Sequence, residues 1–338
     1  MKSKVVAAAY ITGILPIKKD GTESAISDFE EYTILNPGPF SEFTGFTEDE
    51  VDLLCRKNDI DASKMKEWYD GYTFEGIKSV YNPYSVMQAL KMRRYESYWQ
   101  KTSAAESLFT YISMDYDGLQ DDIARLITGE RLEVDINTFK NDVENFSNKD
   151  DVLTLLIHLG YLLYRDDYKT VTIPNEEIRQ EFVGLLKSNE KTKLAELVKK
   201  SESLLNKTLE GDGKAVALAI NSIRESQYAP TFYNNEQAFR YIIKFAYIVC
   251  VDQYLCIEEL PSGKEIADVA FIPKKKTNLP AMIVELKWNK TEEAAIAQIR
   301  DKNYPKVFSD YAGEVIMVGI NYNERTKEHS CVIEKLQK

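Results

Sequence analysis

The rhythm of apolar and polar positions changes along this chain, and each change marks an element. Val5 to Leu15 is an almost unbroken apolar run, closed by Pro16 and a polar Lys18-Lys19-Asp20 turn. This predicts a buried strand; no small-residue cleavage site follows it, so a leader peptide is not expected. "GFTEDEVDLLC" sets Thr47 as an N-cap with Glu50 three residues on, a capping box ahead of a helical apolar period. "YNPYSVMQAL" starts another helix, capped by Asn82 and carrying Pro83 at its first position, where a missing N–H costs nothing. Between them "WYDGY" (Trp68–Tyr72) gathers aromatic residues around a glycine turn and reads as a packed corner.

From about 100 to 230 the helical period dominates. The exception is "GYLLYRDDYKTVTIPNEEIRQEF", where Tyr161–Arg165 and Thr170–Ile173 predict a hairpin around Asp166-Asp167, followed by a helix from near Pro174. Helix, two-stranded wing and helix make a small winged-helix-like piece. Its charges form no basic stripe, so a packing module is the alternative to a DNA reader. "LEGDGKAV" (209–216) has glycines and a lysine without the G-x-x-x-x-G-K-[ST] spacing, and no phosphate loop of that kind occurs in the chain.

Beyond about 231 the pattern becomes mixed. It predicts a helix from Asn235 to about Cys250 and strands Leu255–Leu260, Ile266–Ile272 and Ala281–Trp288. A helix from Glu292 to Tyr304, a strand Val315–Asn321 and an edge strand His329–Leu336 complete it. The fold class expected is therefore α/β (α+β), a mostly helical region 1–230 followed by an α-β-β-β-α-β domain at 231–338.

At 338 residues the chain is long enough for two domains. Its formal charge of −11 disfavours a broadly basic nucleic-acid binder, so a nucleic-acid partner has to be held by a local basic surface. Four scattered cysteines show no zinc spacing and suit a reducing cytosol, and two histidines make a histidine-rich metal site improbable. No apolar stretch reaches the 18 or more residues of a membrane span.

The candidate chemistry sits in "AMIVELKW". Alternation puts Ile283, Glu285 and Lys287 on one strand face, and Asp268 on the preceding strand shares its face with Ile266 and Ala270. If the two strands pair, Asp268 and Glu285 meet, and two carboxylates in proximity are costly without a positive group between them. A hard divalent cation fills that need with oxygen ligands, and Lys287 is placed to orient a water for phosphodiester hydrolysis. The spacing alone is weak, because Asp167-x-Lys169 and Asp212-x-Lys214 repeat it in turns. An ordinary strand end with a surface ion pair is the competing reading. Glu236 on the apolar stripe of the preceding helix, and Gln298 and Lys302 on the sheet-facing side of the next, add polar groups to the same edge.

"IADVAF", "AMIVELKW" and "AIAQIRDKNY" together resemble the PD-(D/E)XK nuclease superfamily, whose core has the same element order. More narrowly they are similar to the nuclease-like domain that follows an AAA-ATPase-like domain in many bacterial proteins. The resemblance implies that Asp268, Glu285 and the backbone carbonyl of Leu286 hold Mg²⁺ (or Mn²⁺), that Lys287 is catalytic, and that Gln298 braces the site. Gln298 and Tyr304 match the family's Q-x5-Y signature, Glu236 matches its first-helix acid, and Lys302 is a supporting residue. "PKKKTN" (Lys274, Lys275, Lys276) offers a phosphate contact, or a solvated turn. The family's Gly-Arg pair before the aspartate is missing, since Glu265-Ile266 stand ahead of Ala267-Asp268.

"YITGILPI", "GFTEDEV", "WYDGYTF", "YNPYSV" and the hairpin segment resemble the ATPase-like partner, from which the phosphate loop is missing. Nucleotide binding and ATP hydrolysis are therefore not expected. The implied function is a cytoplasmic, Mg-dependent endonuclease acting on locally held DNA. The alternative is a catalytically inert nuclease-fold protein that binds nucleic acid or protein.

Overall fold

The computed structural model describes residues 10–13, 15, 30–74, 77–99, 112, 116–141, 146–188, 193–225, 236–262, 265–274, 279–301, 311 and 313–336. The chain divides into two compact units, Met1–Phe182 and Val183–Lys338, and each contains helices and strands. Among the described residues no helix is long and apolar enough to cross a membrane.

In the first unit Thr47 caps α1 (Glu48–Asn58), its backbone N–H donating to Glu50 Oε2 at 2.8 Å. Asn82 caps α3 (Pro83–Met92), accepting from the N–H groups of Tyr84 and Ser85. The helix between them, α2 (Ala62–Tyr69), leads into strands β2 (Tyr72–Phe74) and β3 (Ile77–Tyr81), which pair with β1 (Phe46–Thr47) in a three-stranded antiparallel sheet. The aromatic corner is packed as expected. Gly71 has a φ of +124°, and a Cβ there would meet the Pro174 carbonyl oxygen at 2.1 Å, so only glycine fits. Beside it Asp70 accepts from Ser79 Oγ at 2.8 Å, and the Tyr72 hydroxyl donates to the Gly160 carbonyl at 2.6 Å.

Further along come α4 (Leu119–Ile127), β4 (Leu132–Glu133), α5 (Lys149–His158), the hairpin strands β5 (Leu163–Arg165) and β6 (Thr170–Thr172), and α6 (Glu176–Ser188). The hairpin and its flanking helices stand as the sequence predicts. The nearly all-helical reading of the middle fails at β4, which pairs with β6 to make a third strand. Its signal was a short period of two, with Leu132 and Val134 buried and Glu133 and Asp135 exposed. The predicted strand Val5–Leu15 falls mainly outside the described residues. Its described part, 10–13, forms no strand and leaves Tyr10 and Ile11 exposed.

The second unit begins earlier than the change of pattern at 231. Helices α7 (Lys193–Glu210) and α8 (Gly213–Arg224) fold with it, through Thr208 Oγ1 to the Tyr247 hydroxyl at 2.7 Å and the Val249 N–H to Ser201 Oγ at 3.1 Å. The helix–helix turn predicted at 209–216 is present, with Asp212 capping α8 through the Ala215 N–H. Next come α9 (Glu236–Ala246), β7 (Tyr254–Ser262), β8 (Glu265–Pro273), β9 (Ala281–Trp288), α10 (Glu292–Asp301), β10 (Val315–Asn323) and β11 (Glu328–Lys335). The sheet order is β11-β10-β9-β8-β7. Only the β9–β10 pair is parallel, as it must be when α10 makes the crossover. Ile283, Ala270 and Met317 on the sheet pack against Ile296 and Ile299 of α10 in one apolar cluster.

One carboxylate in the first unit yields a test. Glu177, fully buried, accepts at Oε1 from the N–H groups of Tyr98 (2.8 Å) and Trp99 (3.2 Å) and from Ser85 Oγ (2.9 Å). Burial pushes its pKa up to about 7 in spite of these donors. The folded state thus holds a proton that the unfolded chain releases near its ordinary value. This stability is complete at acid pH and is lost as pH rises through about 7, a decline on the order of 2–3 kcal/mol. Glu177→Gln keeps an acceptor oxygen and removes the titration. Urea midpoints between pH 4.5 and 8 are expected to slope downward in the wild type, and to lie flat and higher at pH 8 in the variant.

Candidate active site

β9 is buried along its length up to the last residue, so the charges near its end do not simply reach solvent. Glu285 and Lys287 are both among the buried polar residues, which rules out the surface ion pair. A buried carboxylate must be paired or hydrogen-bonded, and Glu285 is both. Its Oε1 accepts from Lys287 Nζ at 3.1 Å and from the side-chain amide of Gln298 on α10. Lys287 Nζ also donates to the Leu286 carbonyl at 3.2 Å.

Asp268 approaches from β8. The registered pairs between β8 and β9 run Phe271–Met282, Ala270–Ile283 and Val269–Val284, which brings Asp268 to the level of Glu285 just past the last pair. There its side chain takes over from the backbone ladder: Oδ2 accepts the Leu286 N–H at 2.8 Å. Its Oδ1 accepts from Arg240 Nη2 of α9 at 3.0 Å. The two backbone polar groups of Leu286 are thus held by Asp268 on its N–H and by Lys287 on its carbonyl. Asp268, Glu285, Lys287 and Gln298, all singled out in the sequence, are brought to this one end of the sheet.

Two backbone features make this possible. Gly319 of β10 is in register with Glu285, and a Cβ there would lie 2.4 Å from the Glu292 carbonyl oxygen and 3.1 Å from Ala295 Cβ. The absent side chain lets α10 settle close enough for Gln298 to reach Glu285. Asn289, with φ +53°, turns the chain out of β9, and Asn321, opposite Lys287, fixes that turn by accepting the Lys290 N–H at 2.9 Å. Asparagine tolerates this left-handed conformation better than most residues.

Other predicted residues fare differently. Glu236 opens α9, its side chain outside the described part. Lys302, Tyr304, Lys275 and Lys276 lie outside the described residues. Lys274 is half-buried just after β8, and its N–H donates to the Gln253 carbonyl. Arg240 was missed. Its signal was a position four residues after Glu236, on the same helix face, but nothing local says that this face meets Asp268.

The opposite face of the sheet is apolar and aromatic. Trp288 and Tyr322 have ring centroids 4.7 Å apart, and Phe239 lies 5.2 Å from His329. His329 Nδ1 is 2.6 Å from Asn221 Oδ1, and since an amide oxygen only accepts, Nδ1 carries the proton. Burial, then the nearby Arg224 charge, drives the imidazole pKa down to about 3. It is neutral at physiological pH and belongs to the core.

The donor set at the carboxylates is oxygen only: Asp268, Glu285 and the Leu286 carbonyl, whose second lone pair remains beside the Lys287 bond. Among the described residues no group of three or more His, Cys, Asp or Glu could hold a metal. A hard ion that takes few protein oxygens and keeps waters, as Mg²⁺ does, fits such a set. A zinc site built from nitrogen and sulfur does not.

The family model of the PD-(D/E)XK nuclease superfamily matches residues 234–331, a span that contains Arg240, Asp268, Glu285, Lys287 and Gln298. No curated protein matches the chain. The matched span lies inside the second unit, so the ATPase-like resemblance of the N-terminal region rests on its sequence motifs alone.

Gly319→Ala tests the seat of α10. Overpacking of this kind costs about 1–3 kcal/mol. Urea denaturation of the variant is expected to show a lower midpoint, and the Gln298 side-chain amide resonance should shift as it parts from Glu285. A wild-type midpoint and an unshifted amide would show that α10 does not depend on this glycine.

Proposed function

We propose that the C-terminal unit is a metal-dependent nuclease that hydrolyses phosphodiester bonds of DNA, with a restriction-endonuclease-like core at 231–338. The N-terminal region, 1–230, is read as an ATPase-like, mostly helical partner with a winged-helix-like hairpin and no ATP hydrolysis of its own. The observation that carries the reading is the Leu286 clamp. It gathers two carboxylates, a carbonyl and an ammonium at one sheet end, within the stretch that matches the nuclease superfamily.

In this reading Asp268, Glu285 and the Leu286 carbonyl would hold Mg²⁺ or Mn²⁺. Such an ion supplies Lewis acidity toward a phosphoryl oxygen and offsets negative charge in the transition state. Lys287 spends two N–H donors on Glu285 and Leu286 among the described residues, and the third orients the attacking water toward phosphorus. Gln298 holds Glu285 Oε1 in place, so the carboxylate presents a fixed edge. The Leu286 N–H does the same for Asp268. The acidic whole chain keeps non-specific DNA binding weak and dependent on low salt. Lys274, with Lys275 and Lys276, is the proposed phosphate contact.

The test is nicking of supercoiled plasmid in Mg²⁺ or Mn²⁺. Wild type should cleave, a chelator should stop it, and Asp268→Asn and Lys287→Ala should each lose at least about a hundredfold. Lys287→Ala also leaves Glu285 buried without its cation, a loss on the order of 3–5 kcal/mol, so its folding must be checked by circular dichroism. Wild type that cleaves neither DNA nor RNA, or Asp268→Asn that cleaves equally well, leaves the binding role as the better account.

A further inference from the structure

Among the described residues the site holds two ion pairs, Arg240 with Asp268 at 3.0 Å and Lys287 with Glu285 at 3.1 Å. A divalent ion entering between the carboxylates competes with these cations for the same oxygens, and one of the two is the easier to displace. Exposure decides which. The Lys287 and Glu285 side chains are 11% and 2% exposed, whereas those of Arg240 and Asp268 are 23% and 20% exposed. A guanidinium does not lose its proton under these conditions, so it can yield only by moving.

Asp268 is built for the exchange. Its Oδ2 is fixed by the Leu286 N–H, and its Oδ1 is the oxygen that Arg240 occupies. The carboxylate can therefore trade the ligand at Oδ1 without losing its orientation. We propose that Arg240 is a displaceable counter-ion: it holds Asp268 in the metal-free enzyme, competes with the divalent ion for Oδ1, and swings off when the ion binds. The released guanidinium is then a fork-shaped donor at the rim of the site, suited to two oxygens of a phosphate. Arg240 acts through Asp268 and is a positioning residue. The proposal rests on the metal-binding reading above.

The test uses the full chain without nucleic acid, with Mn²⁺ as the probe in calorimetric titrations. Arg240→Gln removes the competitor and is expected to bind Mn²⁺ roughly three- to fivefold more tightly than wild type, the upper end of the scale of a partly exposed ion pair. Arg240→Lys, which keeps the charge, should stay within about twofold. A residue that merely supports the fold would weaken metal binding when replaced, so the sign discriminates. In the wild type itself, the Arg240 side-chain N–H resonances should exchange with water faster once Mg²⁺ saturates the site, which does not depend on any variant folding. Unchanged exchange, or Arg240→Gln binding Mn²⁺ no tighter than wild type while Asp268→Ala abolishes binding, overturns this inference and leaves the metal site standing. If neither wild type nor Arg240→Gln binds Mn²⁺, or Asp268→Ala binds as well as wild type, both readings fall.

Discussion

The charge on Glu285 lies inside a five-stranded sheet, and the end of that sheet is arranged around keeping it compensated. Lys287 lies two residues on, on the same face, because strand side chains alternate. Gln298 arrives because α10 lies close over Gly319. Both backbone groups of Leu286, between the two charged residues, are engaged: its carbonyl accepts from the ammonium and its N–H donates to Asp268. Removing Lys287 leaves Glu285 buried without its cation, a costly loss for a core.

The first unit solves the same problem in a different way. Among the described residues Glu177 has no side-chain cation as a hydrogen-bond donor; two backbone N–H groups and a hydroxyl face Oε1 instead. Neutral donors offset less of the cost of burial than a paired ion does, and the carboxyl retains its proton to near neutrality. Glu285, with an ammonium beside it, is held as one half of an ion pair. One carboxylate therefore serves to join α6 to α3 and to residues 98–99, and the other is equipped to present charge.

Much of this was legible in the sequence where a local rule applied. Alternation in "AMIVELKW" put Glu285 and Lys287 on one face, and capping at Thr47 and Asn82 fixed two helix starts. The glycine in "WYDGY" marked a turn in a packed corner; the close Pro174 backbone that demands it was not readable there. What escaped is tertiary. Arg240 meets Asp268 across 28 positions of sequence, and only the packing of α9 against β8 decides that. Gly319 looks like any glycine in a strand until the helix above it is known. β4, two residues long, was hidden by helical neighbours. Helices α7 and α8 carry no mark of the unit they join, because an amphipathic stripe says that a face is buried, and not against what.

The sheet of the second unit is not uniformly stitched. β9 and β10 keep register over eight pairs, from Val315–Ala281 to Tyr322–Trp288, while β8 and β9 keep it over three. The sheet is thus two leaves, β7–β8 and β9–β10–β11, joined along a short seam that ends where Asp268 begins. Past the seam the Leu286 N–H is met by the Asp268 side chain instead of by a backbone carbonyl, so one carboxylate makes the last stitch between the leaves.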